Sequence, residues 1–203
     1  MNKNNIKVIE DLIPLPFQNE LERTFEKDID LNWNINSTIS NNPKNYKFKN
    51  ENIIEAPGAS HVLFWEDAIR SNHFHTIKPI FYYLEDLFKI QINEILRIRA
   101  RKTFNFKGHT LDGYTPPHVD LPHVDNYMSL VYYVHETDGD TFFFDKEHKV
   151  GDTDTLLDFG NIIKRVSPKK GSAIFFPGRT YHAGNCPVNY PTRTIINFDF
   201  TII

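Results

Sequence analysis

The sequence predicts a mainly β protein with flanking helices (α+β class), in which N-terminal helices support a double-stranded β-helix, or jelly-roll barrel. From Leu96 onward the hydrophobic period changes from helical to strand-like, and five or more short β-rich segments follow, separated by clusters of Gly, Pro and Asp. Aromatic residues make up 14% of the chain, including 17 Phe, which suits the interior of a sheet. A jelly roll closes such strands with few exposed edges and leaves a pocket between its sheets.

Local spacing predicts the elements before Leu96. Residues 6–13 begin as a strand that Pro14 ends, because proline cannot donate to a strand ladder. Helices are predicted over 19–27 and 82–96, where apolar side chains recur at helical spacing. Residues 34–52 are rich in Asn, Ser and Lys and indicate an irregular loop rather than a domain boundary.

The size and charge of the chain limit its organisation. With 203 residues it is long enough for one domain with a real core and small for two. We therefore predict one domain over 1–203, with helical support over about 1–96 and the jelly-roll core over about 97–203. A net charge of −3 and a pI near 6.3 give no basic field for generic nucleic-acid binding.

The single cysteine and the absence of targeting segments predict a cytoplasmic location. Cys186 has no second cysteine with which to form an internal disulfide. The first residues lack the apolar stretch of a secretory signal, and no run approaches the roughly 18 apolar residues that span a bilayer. We therefore expect a reducing compartment and no membrane partner.

The strongest chemical signal is a His-x-Asp motif, His118-Val-Asp120, together with a distant histidine, His182. In an extended strand residues i and i+2 point to the same side, so His118 and Asp120 can hold one metal ion. Two imidazoles and one carboxylate can occupy one face of an octahedral iron(II) ion and leave three positions open. With nine histidines in the chain, an isolated His-x-Asp also arises by chance, so its context decides.

Arg193 provides part of that context. It lies after His182 and opens the strongly strand-like tail of the chain. A permanently charged guanidinium there could grasp the far carboxylate of a dicarboxylic co-substrate through a bidentate contact. The alternative is a surface arginine at the start of a strand.

These motifs in this order resemble the iron(II)/2-oxoglutarate dioxygenases of the prolyl-4-hydroxylase-like group. The resemblance covers about residues 95–203, and more faintly the N-terminal half. Each motif alone is common, whereas the combination is specific. The segments that carry it are 117–144 with His118-Val-Asp120, 166–171, 175–178, Tyr181-His-Ala-Gly184 and Arg193.

The resemblance implies an enzyme and its site residues. His118, Asp120 and His182 would bind iron(II) and form the catalytic centre, and Arg193 would anchor 2-oxoglutarate, with Tyr133 as the inward-facing phenol near this co-substrate. Dioxygen would be consumed, with ascorbate as a further cofactor to test. A peptidyl proline, another protein side chain or a small molecule would be hydroxylated, with release of succinate and carbon dioxide.

A second copy of the motif, His123-Val-Asp125, follows directly and could hold the metal instead. In the group that the chain resembles, a short loop separates the ligands from the next strand, and only the first copy leaves room for one. We therefore favour His118 and Asp120. His123 and Asp125 are expected in the loop at the mouth of the barrel.

Arg97, Arg99 and Arg101 alternate with apolar residues and so share one face of a strand. They could line the substrate side and bind an acidic group, or they could form a solvated sheet face, which is the interpretation we favour from the sequence. Residues 107–117 and 145–161 are candidate lids, because long loops in compact domains are often functional.

Two competing functions remain at this stage. A metal-dependent cupin-like enzyme would also cluster histidines and acidic ligands but would not need Arg193. A jelly-roll binding module would have no affinity for iron. The sequence identifies neither the prime substrate nor the oligomeric state.

Overall fold

The structure is a computed structural model that describes residues 5–39, 52–151 and 159–203. The described elements are the strands β1 (Lys7–Ile9), β2 (Asn34–Asn36), β3 (Gly58–Trp65), β4 (Ala68–Ile69), β5 (Ile92–Phe104), β6 (Met128–Tyr133), β7 (Thr141–Glu147), β8 (Ile162–Val166), β9 (Ala173–Pro177), β10 (Thr180–Gly184) and β11 (Thr192–Ile202), and the helices α1 (Leu15–Glu22), α2 (Phe74–Ile77) and α3 (Ile80–Phe88). A π-helical turn, Arg23–Lys27, extends α1. Among the described residues, no helix is long and apolar enough to cross a membrane.

The strands form two antiparallel sheets. The larger sheet has the order β1-β9-β6-β11-β5-β3-β2, with β4 paired to β3, and the smaller has the order β10-β7-β8. A cluster of buried side chains lies between them, with Tyr133 and Phe176 from the larger sheet and Phe143 from the smaller. This arrangement is the predicted double-stranded β-helix, and that prediction is confirmed.

The other face of the larger sheet packs against the helices. Phe81 of α3 contacts Phe198 and Phe200 of β11 edge to face, at ring-centroid distances of 5.4 and 5.3 Å. Leu21 and Phe25 belong to the same buried cluster. Because both faces of the larger sheet are covered, its central strands β6 and β11 are buried at nearly every position.

Helix and strand boundaries differ from the predictions where the backbone leaves the helical region. Lys89 takes a left-handed conformation with a φ of 54°, so α3 ends at Phe88 and not at residue 96. The residues beyond it alternate in β5, which pairs with β11 along most of its length. The first strand is likewise shorter than predicted, since Asp11 has a φ of 48°.

Parts of the predicted loops belong to the sheets. Asn34–Asn36 forms β2, and the prediction for the rest of that loop falls largely on residues 40–51, outside the described ranges. The first residues of the loop predicted over 145–161 lie in β7, and 152–158 are also outside. Strands β1 to β4 extend the larger sheet, and the one-domain organisation over 1–203 stays a prediction.

Candidate metal centre

His118, Asp120 and His182 lie together at one end of the barrel. His182 is on β10, and His118 lies in the segment between β5 and β6. The two histidines pair through their backbones, with N–O distances of 2.9 and 3.0 Å. Candidate ligand atoms of the three side chains lie within 4.8 Å of one another. The sequence-predicted residues are therefore close enough to bind a single ion.

Hydrogen bonds to the backbone orient both imidazoles. Nδ1 of His118 lies 3.1 Å from the carbonyl oxygen of Pro116, and Nδ1 of His182 lies 3.0 Å from that of Thr180. A neutral imidazole that donates from Nδ1 has its lone pair on Nε2. This leaves both Nε2 atoms as metal ligands, and Nε2 of His182 is already 3.4 Å from Oδ2 of Asp120.

Asp120 is held by residues of the larger sheet. Arg97 of β5 donates to Oδ1 of Asp120, and the amide nitrogen of Asn197 lies 3.4 Å from Oδ2. Arg97 also pairs with Asp199 at 2.8 Å. The hydroxyl of Ser129 in turn donates to Asp199 at 2.7 Å. This buried network fixes the carboxylate beside the two histidines.

The electrostatics of the cluster favour a metal-ready state. Burial first, and then the closeness of the second imidazole of His182, lowers the pKa of His118 to about 3, so the His118 imidazole is neutral. Burial opposes ionisation of Asp120, but Arg97 and His182 outweigh it and hold its pKa well below the usual range. Neutral imidazole and ionised carboxylate are the forms that bind first-row divalent metals.

A cavity between the two sheets touches both this cluster, through its histidines, and Arg193. It has apolar and polar walls, and the two histidines and the arginine all contribute to it. The lining residues are Ile39, Arg101, Thr103, Thr115, His118, Val131, Thr141, His182, Gly184, Asn185, Arg193, Ile195 and Asn197.

Arg193 is buried in the barrel and is not the surface residue that was the alternative, since only 3% of it is exposed. Its Nε donates to the carbonyl oxygen of Gly139, and its Nη2 donates to Oγ1 of Thr141 at 2.8 Å. It forms no ion pair with any residue that the structure describes. A buried guanidinium without a carboxylate partner is costly, which indicates a place for an anion.

Two glycines make room for this arginine. A Cβ at Gly139 would lie 2.5 Å from Cδ of Arg193, closer than real contacts allow. A Cβ at Gly184 would lie 3.2 Å from its Nη1. The last glycine of the Tyr181-His-Ala-Gly184 motif therefore has a steric reason as well as a place in the pattern.

Tyr133 lies beside Arg193, the position that the resemblance implied for it. The guanidinium carbon is 5.7 Å from the centre of the Tyr133 ring, and the phenol oxygen is 2.6 Å from Oγ1 of Thr141. Thr141, and not Tyr133, lines the cavity. Burial raises the pKa of Tyr133, so the phenol is neutral. Tyr132 faces the helices instead.

The second motif lies outside the cluster. His123 and Asp125 are exposed on the loop before β6, and Asp125 forms an ion pair with Arg179. The candidate metal centre is therefore built from the first copy of the motif.

The arginine row on β5 corrects the favoured prediction of a solvated face. Arg97 is bound to Asp120, Arg99 lies 3.6 Å from the same carboxylate, and Arg101 lines the cavity. The row points into the barrel because β5 pairs with β11, whose alternate residues face the same interior. Sequence reasoning also missed Asn197 and Asp199, although both share strand parity with Arg193.

No protein-family model matches the sequence, and no curated protein matches it significantly. Solved structures do match. An oxidoreductase of the 2OG-Fe(II) oxygenase family from Burkholderia pseudomallei has a TM-score of 0.63 and 13% identity, over 98% of this chain and 86% of that chain. The fold is that of the 2-oxoglutarate/iron(II) oxygenases.

Two further oxygenase-fold structures support this assignment. The epimerase SnoN, in complex with Fe3+, α-ketoglutarate and nogalamycin RO, has a TM-score of 0.60 and 11% identity, over 97% of this chain and 78% of that chain. A prolyl-4-hydroxylase from Pseudomonas putida has a TM-score of 0.57 and 12% identity, over 97% of this chain and 92% of that chain. The likeness to these oxygenases lies in the fold.

Proposed function

We propose that this protein is an iron(II)- and 2-oxoglutarate-dependent dioxygenase that hydroxylates its substrate. The observation that carries the proposal is one cavity lined by both histidines of the His-Asp-His cluster and by the buried Arg193, which forms no ion pair with any described residue. A cupin-like metal enzyme would need the cluster but not Arg193. A binding module would need neither.

The residues of the cluster fit iron(II). His118, Asp120 and His182 would supply two imidazole nitrogens and one carboxylate oxygen, a set that leaves open positions on an octahedral ion. When bound, the iron would supply the oxidative chemistry in which 2-oxoglutarate and dioxygen give succinate and carbon dioxide, with one oxygen atom entering succinate and the other the hydroxyl group of the product. Arg97 and Asn197 would keep the Asp120 carboxylate oriented.

Arg193 and its neighbours fit the co-substrate. Arg193 would bind the distal carboxylate of 2-oxoglutarate, helped by the Thr141 hydroxyl. Tyr133 would position both, because its hydroxyl contacts Thr141 and its ring lies against the guanidinium. Val131 and Ile195 line the space between and would keep water from the reacting atoms.

The prime substrate is proposed only as a class. The structural neighbours include a prolyl-4-hydroxylase and an epimerase bound to nogalamycin RO, which are very different kinds of enzyme. The proposed substrate is therefore a peptidyl proline, another protein side chain or a small molecule. Use of ascorbate and a cytoplasmic location stay predictions as well. The latter rests on the sequence, which has a single cysteine.

Anaerobic addition of iron(II) and 2-oxoglutarate tests the proposal. A visible charge-transfer band should form only when both are present, since it requires the two partners on one metal ion. Admission of oxygen should then yield succinate. If iron binds and the band never forms, the co-substrate assignment is wrong; if turnover persists with zinc in place of iron, a hydrolytic or isomerising cupin-like enzyme takes its place.

A further inference from the structure

The arginine row on β5 holds more positive charge than the described carboxylates balance. Arg97 forms ion pairs with both Asp120 and Asp199, the latter at 2.8 Å. Arg99 reaches only Asp120, at 3.6 Å, and its buried Nε has no hydrogen-bond partner among the described residues. Arg101 forms no ion pair within the described part of the chain.

Arg101 faces the same cavity as the metal cluster. It lines that cavity together with His118, His182 and Arg193. On the sheet, Arg101 of β5 is paired with Ile195 of β11, whereas Arg193 is paired with Thr103. The two guanidinium groups therefore approach the cavity from neighbouring strands at different positions.

The donors of Arg101 are mostly unused. Among the described residues, its only hydrogen bond is from Nη2 to the carbonyl oxygen of Ile39. A guanidinium has five N–H donors in a fork that suits carboxylate and phosphate groups. Burial and the neighbouring charge of Arg99 lower the pKa of Arg101, which shows how poorly its charge is compensated.

The ligands of the proposed function do not remove this excess. Four arginines point into the barrel, Arg97, Arg99, Arg101 and Arg193, against the two carboxylates of Asp120 and Asp199. Iron(II) and the 2-oxoglutarate dianion add equal and opposite charges. Among the described residues two positive charges are thus left over on half-buried side chains, and partial burial of uncompensated charge favours the binding of another anion.

We propose that Arg101, with Arg99, forms a second anion subsite that binds a carboxylate or phosphate group of the prime substrate. The inference rests on the proposed function and narrows its substrate to an anionic compound. An uncharged segment around a peptidyl proline would leave the subsite empty. Arg193 would remain the anchor of 2-oxoglutarate.

Sulfate and acetate are suitable probes of this subsite. The wild-type protein, loaded anaerobically with iron(II) and saturating 2-oxoglutarate, is heated in sulfate, acetate or chloride at equal ionic strength. We expect sulfate or acetate at several times its Kd to raise the melting temperature by about 2–4 °C over chloride. A stronger effect of tetrahedral sulfate points to phosphate, and a stronger effect of planar acetate to carboxylate.

Three variants give the test its specificity. Arg101→Met should lose the anion effect while its charge-transfer band forms at the same 2-oxoglutarate concentration as in the wild type. Arg101→Lys should show a weaker effect, because it keeps the charge but not the fork. Arg70→Met is the matched control, since Arg70 is exposed and paired with Glu66 at 3.2 Å, and it should behave as the wild type.

Several results would overturn the subsite. The first is an undiminished anion effect in Arg101→Met or, if that variant does not fold, an unchanged anion effect in Arg101→Lys. The second is a higher concentration of 2-oxoglutarate needed by Arg101→Met to form the charge-transfer band, which would make Arg101 a second binding residue for the co-substrate. Absence of the charge-transfer band in the wild-type protein as well as in every variant would instead refute the proposed function. The anion effect is then measured without iron in the Arg193→Met background, where the subsite requires an anion effect that the additional Arg101→Met change removes.

Discussion

At the scale of single residues, the Asp120 carboxylate contacts both an arginine of the larger sheet and a histidine of the candidate metal centre. Its Oδ1 is taken by Arg97, and its Oδ2 faces Nε2 of His182 at 3.4 Å. The carboxylate therefore stays ionised without metal and keeps one oxygen directed at the cluster. His118 and His182 bind each other through the backbone, so the ligand geometry is built before any ion arrives.

Alanine substitutions should separate the two His-x-Asp copies. His118→Ala and Asp120→Ala are expected to abolish iron(II) binding and succinate formation, because each removes one of three ligands. His123→Ala and Asp125→Ala, at exposed positions, should change iron affinity by no more than about twofold. Anaerobic titration followed by the charge-transfer band measures this. Loss of metal in the second pair alone would place the ligands five residues further along.

Removing the Arg193 guanidinium should weaken 2-oxoglutarate and spare iron. A charge-assisted hydrogen bond contributes about 1.5–3 kcal/mol, so Arg193→Ala should raise the apparent KM for 2-oxoglutarate roughly 10- to 150-fold. Arg193→Lys should recover part of this loss, because it restores the charge without the fork. Steady-state succinate assays give the KM, and iron titration is the control. An unchanged KM would move the anchor to another residue.

At the scale of elements, β11 carries two different tasks on its two faces. Arg193, Asn197 and Asp199 face the barrel and its polar network, whereas Phe198 and Phe200 face the helices. The strand is buried along most of its length because both faces are covered. Neighbouring residues on it should therefore respond to substitution in different ways.

A pair of adjacent substitutions on β11 tests this division. Phe198→Ala should lower the free energy of unfolding by about 3–5 kcal/mol, because it opens a cavity beside Phe81. Asn197→Ala should instead weaken iron(II) binding about tenfold, because it removes a partner of Asp120. Urea unfolding and iron titration of both variants make the comparison. A large loss of iron affinity in Phe198→Ala at low urea would contradict it.

At the scale of the whole molecule, the proposed ion would join the two sheets. His182 belongs to the smaller sheet through β10, whereas Asp120 is held by Arg97 and Asn197 of the larger sheet. An ion that binds all three ligands links these layers. Metal binding should therefore stabilise the folded protein as a whole.

Substitute metals should uncouple stability from turnover. Zinc, cobalt and nickel bind imidazole and carboxylate sites at least as well as iron(II), so each is expected to raise the melting temperature and to inhibit the iron enzyme. Succinate should appear with iron(II) alone, since the proposed reaction needs oxygen activation. Thermal unfolding and a succinate assay with each metal check both parts. The His118→Ala variant is the control and should show no stabilisation.

The sequence by itself determined the ligand types, their order and the fold that they imply. The period-2 rule is local, so without any tertiary information it placed His118 and Asp120 on one side of a strand and put Tyr132 and Tyr133 on opposite faces. The resemblance, and not the rule, indicated Tyr133 as the inward one. The change of period at Leu96 likewise predicted a sheet-rich barrel after helical support. The roles of these residues stay proposals, whereas their placement follows from the strands.

Only the tertiary structure decided which way the arginine row on β5 faces and how α3 ends. Alternation puts Arg97, Arg99 and Arg101 on one face, but whether that face meets solvent or the barrel depends on the second sheet, which is distant in sequence. The helical period before Leu96 continues past Phe88, yet the residues from Ile92 onward form a strand because β5 pairs with β11. Long-range packing outweighs local propensity in both cases, because it buries far more surface than one segment can bury alone.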